Sequence, residues 1–182
     1  TMAKISNVSA YPNITNIDIS DYLILTDAEN NLMTKTCTLG TLQGLFGLDT
    51  VIAKIALTAN QLQTIFASPV TLIPSPGAGK VLDIMSVMIS FDAGNTVYDF
   101  ASGNNLLLLA GTSNQYAILA ATLNSATDSV KKLALNAATG GQINIPSGVP
   151  LTLKANSANP TQGNGLLYLN ISYRVLTVGT SF

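Results

Sequence analysis

The chain has 182 residues, of which 47% are hydrophobic and only 9% charged, with a net charge of −1, no histidine, no tryptophan and one cysteine. Without imidazole there is no Ser-His or Cys-His nucleophile pair and no histidine metal ligand, and one cysteine makes neither an internal disulfide nor a cysteine-rich zinc site. Eight basic residues spread along the chain form no nucleic-acid footprint, and apolar runs such as Leu106 to Ala110 fall far short of the roughly 20 residues that span a bilayer.

The polar content is mostly uncharged: 20 Thr, 15 Ser and 17 Asn. Such a surface is easily desolvated and suits permanent subunit contacts, whose cores are depleted of charge. An oligomer is expected. Lys4 is followed by no apolar stretch of signal-peptide type, so no signal peptide is expected. Cys37 reads as a buried or half-buried small residue.

In chain order, Ile5, Val8, Tyr11, Ile14 and Ile17 are irregularly spaced among small polar residues and predict an extended arm. Tyr22–Thr26 and Leu32–Thr36 predict two strands about a turn at Asp27–Asn31. Thr38 or Thr41 is placed to cap a short helix bearing Leu39, Leu42, Leu45 and Phe46, with Gly47 ending it. A hairpin and one helix bury little core alone, so residues 1–48 are expected to dock on something else. Their acidity fits a separate role: residues 1–50 hold two lysines against five acids, whereas 51–182 hold six basic residues against four acids.

Residues 49–68 predict a helical connector, with Ile52, Ile55, Ala56 and Ala59 on one face, Thr58 capping a second helix, and Pro69 closing it. From 69 to 182 the pattern is all-β. Strands are expected at 70–73, 80–92, 97–100, 105–110, 115–121, 130–136, 142–145, 151–154 and over the last segment, where Leu167, Leu169, Ile171, Tyr173 and Val175 alternate with Tyr168, Asn170, Ser172 and Arg174. In the 80–92 strand, Val81, Met85, Val87, Ile89 and Phe91 are assigned to one face. Short strands with frequent turn signals indicate a sandwich or barrel, and eight of them in two sheets make a jelly roll. The expected fold is therefore mainly β: a jelly-roll-like sandwich preceded by an attachment module and a helical connector.

No catalytic, cofactor-binding or metal-binding residue is assigned. Pro76–Lys80 is reminiscent of a phosphate loop, but Pro74 stands where the first glycine belongs and Val81 where a hydroxyl should follow the lysine. A strand-to-strand turn explains it better. Asp18, Asp21, Asp27 and Glu29 lack the glycine and distant glutamate of a calcium loop and read as solvated residues. Asp83, on an otherwise apolar strand, is expected to pair with Lys80 or Arg174 rather than to catalyse. Tyr98, Phe100 and Tyr116 fall near loops, where exposed rings stack on sugars; core or interface packing is the expected place for them.

The segments Lys4–Val8, Asp21–Asp27, Lys35–Thr36 and Thr41–Leu42 resemble the N-terminal attachment segments of bacteriophage fibre and appendage proteins. Leu57–Ala59, Pro69–Pro74, Pro76–Val81 and Tyr173–Val178 resemble a β-sandwich domain common in phage virion proteins. The resemblance implies a trimeric head fibre or capsid-bound appendage of the virion, synthesised in the host cytoplasm. Its N-terminal part would bind the capsid or another virion protein, with no cofactor, nucleic acid or membrane insertion. The alternative is a tail-fibre module for a host receptor or glycan, favoured if aromatic and Asn-rich loops gather at one end of the sandwich. An enzyme such as a capsule depolymerase would need a carboxylate pair in a cleft, and Asp83, Asp92, Asp99 and Asp128 are the acids after residue 50 from which to make one.

Overall fold

A computed structural model describes residue 20 and residues 22–27, 33–45, 50–136 and 143–179. The expected arm and most of the Asp27–Asn31 turn lie outside the described residues. The chain divides into two compact units, Thr1–Asp49 and Thr50–Phe182.

In the first unit, β1 (Tyr22–Asp27) and β2 (Met33–Thr38) pair antiparallel from Tyr22↔Thr38 to Asp27↔Met33. Helix α1 (Leu39–Leu45) follows directly. Thr38 caps it: its Oγ1 accepts from the Thr41 amide at 3.0 Å, which satisfies a donor with no partner inside the helix. Tyr22 and Ile24 alternate on the hairpin and are 70% and 76% exposed, so this hairpin leaves an apolar pair uncovered. Cys37 is half-buried.

The second unit is built from two four-stranded antiparallel sheets. One runs in the order β3 (Val51–Leu57), β10 (Leu166–Thr177), β5 (Lys80–Asp92), β8 (Ser129–Lys132). The other runs β4 (Val70–Ile73), β9 (Leu151–Ala155), β6 (Leu106–Ala110), β7 (Ser113–Ile118). A single buried cluster joins them, with Leu57, Val87, Ile89, Phe91, Leu167, Leu169 and Ile171 from the first sheet and Leu72, Leu106, Leu108, Leu151 and Leu153 from the second. Two short helices, α2 (Ala59–Gln63) and α3 (Ala120–Leu123), lie in connections and add Leu62 and Leu123 to the core.

Several elements differ from the sequence reading. Val51–Leu57 is a strand, not the first helix of a connector. Its β-branched run satisfies a helical stripe and a period-two stripe equally well, and pairing along β10 decides between them, placing Val51, Ala53, Ile55 and Leu57 opposite Tyr173, Ile171, Leu169 and Leu167. The second predicted helix does form, capped reciprocally by Thr58 and Gln61. Residues 97–100 are not a strand; both backbone groups of Phe100 bond instead to the Asn124 side chain. The 115–121 strand begins and ends earlier, at Ser113–Ile118, and gives way to α3. The 130–136 strand stops at Lys132, with one isolated bridge at Leu135. Gln142 is outside the described residues, and 143–145 form no strand.

A bulge corrects the faces assigned to Met85 and Val81. The β10–β5 register slips between Ser172↔Ser86 and Tyr173↔Ile84, leaving Met85 without a partner. One extra residue inverts the alternation. Thus Val87, Ile89 and Phe91 point inward beyond the bulge and Leu82 before it, while Met85 is 53% exposed.

Candidate functional site

The connections β3–β4, β5–β6, β7–β8 and β9–β10 carry much of the Asn, Ser and Thr content and are stapled to one another by side-chain-to-backbone hydrogen bonds. Asn159 Oδ1 accepts from the amides of Phe66 at 2.7 Å and Ala67 at 3.4 Å. Asn164 Oδ1 accepts from Asn95 at 3.0 Å and Thr96 at 2.8 Å. Asn104, buried, accepts from the Ser157 amide and donates to the Ala158 carbonyl. Asn124 does the same with both backbone groups of Phe100, and Asn105 accepts from Ala120. Asp128 accepts from the Ala93 amide at 3.0 Å. These amides replace the ladder bonds that irregular backbone lacks.

Asp99 belongs to the same web. Its carboxylate accepts from the Thr161 hydroxyl and amide and from the Gln162 amide. The Thr161 hydroxyl bond above all, with the backbone bonds, holds its pKa below the usual aspartate value. Beneath the loops the three aromatic candidates are buried: Tyr98 is 1%, Phe100 3% and Tyr116 3% exposed. Tyr98 donates to the Gly165 carbonyl at 2.8 Å, and burial pushes its pKa up to about 12. Tyr116 donates to the Ile84 carbonyl, and its pKa is raised by burial and then by the nearby Asp83 charge. The Asn-rich loops do gather at one end, but these rings lie in the core and offer no platform for a sugar.

The other sequence candidates are dispersed. Asp83 pairs with Arg174, Nε to Oδ2 at 2.7 Å, across the β5–β10 register. The segment before Lys80 is a turn closed by the Lys80 amide on the Gly77 carbonyl, with Gly77 and Gly79 at positive φ. Among the described residues, no three Asp, Glu or Cys side chains meet in a group able to hold a metal ion, and no helix is long and apolar enough to cross a membrane.

The surface with uncommitted side chains is the outer face of the β3-β10-β5-β8 sheet. Register aligns it in rows: Ala56, Tyr168, Ser90 and Val130; then Lys54, Asn170, Met88 and Lys132; then Ile52, Ser172 and Ser86. Ile52, Met88, Val130 and Tyr168 are 58%, 45%, 68% and 42% exposed. A groove of about 370 Å³ lies over the first two rows, lined by Lys54, Ala56, Met88, Val130, Tyr168 and Asn170 among others. Lys54 and Lys132 find no carboxylate among the described residues, whereas Lys131 donates to Thr122 and Lys154 lies 4.9 Å from the Phe66 ring centre. No strand of the second sheet carries an exposed large apolar side chain among the described residues. Sequence reasoning missed this face for want of β3 and the bulge; the signal available was the polar-apolar mixture at Lys54, Met88 and Tyr168 on otherwise alternating strands.

No protein-family model and no curated protein matches the chain. One solved structure, the capsid asymmetric unit of cyanophage Pam1, is similar at 15% identity over 68% of this chain and 81% of that one, with a TM-score of 0.42.

Proposed function

We propose that the protein is a non-enzymatic structural component of a bacteriophage virion, a trimeric head fibre or capsid-attached appendage. Residues 1–48 anchor it to a capsid or other virion protein, and the β domain projects outward as a jelly roll. The observation that carries the reading is strand order. Counted from β3 to β10, the sheets run first-eighth-third-sixth and second-seventh-fourth-fifth, the order of a jelly roll, a fold that recurs in viral capsids. A fold alone assigns no function, and two further features support this one. Of the four acids available to a hydrolase, Asp83 is paired with Arg174, while Asp92, Asp99 and Asp128 accept hydrogen bonds from Gly94, Thr161 and Ala93 and keep exposed carboxylates outside the groove. The hairpin of the first unit exposes Tyr22 and Ile24, as a docking element would.

The test is location. Antibody against the full chain, used on purified phage particles by immunogold microscopy, should label the capsid shell, and deleting residues 1–48 should remove the protein from the particles. Absence from the particles, or labelling confined to the tail tip, would overturn the reading.

A further inference from the structure

We infer that the outer face of the β3-β10-β5-β8 sheet is one half of a head-to-tail contact between copies of this chain, and that the loop end of the next copy is the other half. The inference rests on the trimeric reading above and says which surfaces would close the ring.

Charge narrows the choice of occupant. In the second row of the face, Lys54 and Lys132 stand on the two edge strands with Asn170 and Met88 between them. The Asp83 carboxylate on this face is already neutralised by Arg174. Two such faces packed on a twofold axis that runs along or across the strands through the middle of this row would set lysine over lysine. Juxtaposed like charges oppose binding, so a self-complementary dimer through this face is disfavoured. The face calls for an acidic surface with an apolar projection.

The loop end of the same unit has that character. Residues 58–69, 93–105, 119–128 and 156–165 contain Asp99 and Asp128 and not one lysine or arginine, and Asp92 adjoins them at the end of β5. All three acids are exposed. Among the described residues, Leu119 is the large apolar side chain these loops leave exposed, at 59%. It precedes α3 with no capping hydrogen bond from its side chain. The groove lined by Tyr168, Met88 and Val130 is mostly apolar and has Lys54 in its lining. Leu119 seated there, with Asp99 and Asp128 facing Lys54 and Lys132, buries the exposed apolar groups of both surfaces and pairs their charges. The two surfaces lie on one chain and differ from each other, so the contact is heterologous and builds a closed ring or an open filament.

The test uses full-length protein and two variants, one per surface: K54E/K132E on the face and Leu119→Ser on the loop end. Masses are read by light scattering after size exclusion, and folding by circular dichroism melts. Wild type is expected at three times 18.9 kDa, and each variant alone at the monomer mass with an unchanged melt. A one-to-one mixture should give a heterodimer and no trimer, because it retains one good contact per pair. If a melt drops, Val130→Ser and Leu119→Ala are the milder replacements. Trimeric wild type with trimeric variants overturns the inference and leaves the trimeric reading standing. A monomeric wild type overturns both. Two variants that restore a full-size homogeneous trimer on mixing would show that the two altered surfaces are not the opposing halves of one contact, which also overturns it.

Discussion

The loop end and the outer sheet face of the second unit look alike in composition, since both mix neutral polar and apolar residues, yet they behave oppositely. At the loop end many polar side chains are spent: Asn104, Asn105, Asn124, Asn159, Asn164 and Asp99 each hold backbone of an adjoining loop. On the sheet face the backbone is satisfied by the ladder, and Lys54, Ser90, Tyr168 and Asn170 are left without hydrogen-bond partners among the described residues. Regular strands free their side chains for partners, whereas irregular loops consume many of their amide side chains internally and leave groups such as Leu119 and the exposed carboxylates for contact. A polar loop is thus weak evidence for binding until its hydrogen bonds have been accounted for.

That contrast can be broken at its foundation by inverting the two sides of β10. Leu169 and Ile171 are 2% and 0% exposed. Leu169→Asp or Ile171→Asp should abolish cooperative folding, because an unpaired buried charge costs several kcal/mol against a total stability of about 5–15 kcal/mol. Asn170→Asp, between them on the outer face, should keep the melting temperature of the wild type. Harmless Leu169→Asp would mean that the two sides are exchanged.

The next effect concerns the tightness of the loop end. Gly163 has φ +124°, and a methyl group there would fall inside the Tyr98 ring. Gly163→Ala should destabilise by roughly 2–4 kcal/mol, combining overpacking with backbone strain, read from a denaturant midpoint. An equivalent change on the sheet face, Ser90→Ala, should stay within about 0.5 kcal/mol.

A smaller effect is expected with base. The Tyr98 hydroxyl is neutral in the fold, with its pKa raised from 10.0 to about 12 by burial. A raised phenol pKa gives stability that is complete below pH 10 and lost as pH rises through about 12. Melting temperature should fall across that window, and Tyr98→Phe should fall less steeply. Its own cost at neutral pH is about 1 kcal/mol for the lost bond to Gly165. On the acid side the sign reverses: Asp99 has a depressed pKa, so its contribution is present at neutral pH and lost as pH falls through the folded value. Asp99→Asn should flatten the acid limb of the melting profile, a slight change because the carboxylate is exposed.

The all-β character of the second unit, the long terminal strand and the Thr38 and Thr58 caps were legible from alternation and capping chemistry. Val51–Leu57 was not, since Val, Ile and Ala repeat at spacings that serve a helix and a strand alike until β10 selects one. Met85 was misplaced because a bulge is a property of two strands in register, invisible in either alone. Asp83 could be narrowed to Lys80 or Arg174 by charge, and register chose Arg174. Tyr98 and Phe100 sit beside turn residues in sequence, and the core packing expected of them is what their loops, folded down over the core, provide. The candidate face requires distant strands in register, so the mixed residues Lys54, Met88 and Tyr168 could not be joined into one surface from the sequence.

The most direct measurement of the central claim is the mass of the full chain in solution. Light scattering after size exclusion at micromolar concentration should give three times 18.9 kDa, as expected when a low-charge face and an acidic loop end meet between copies. A homogeneous species at 18.9 kDa would contradict the account.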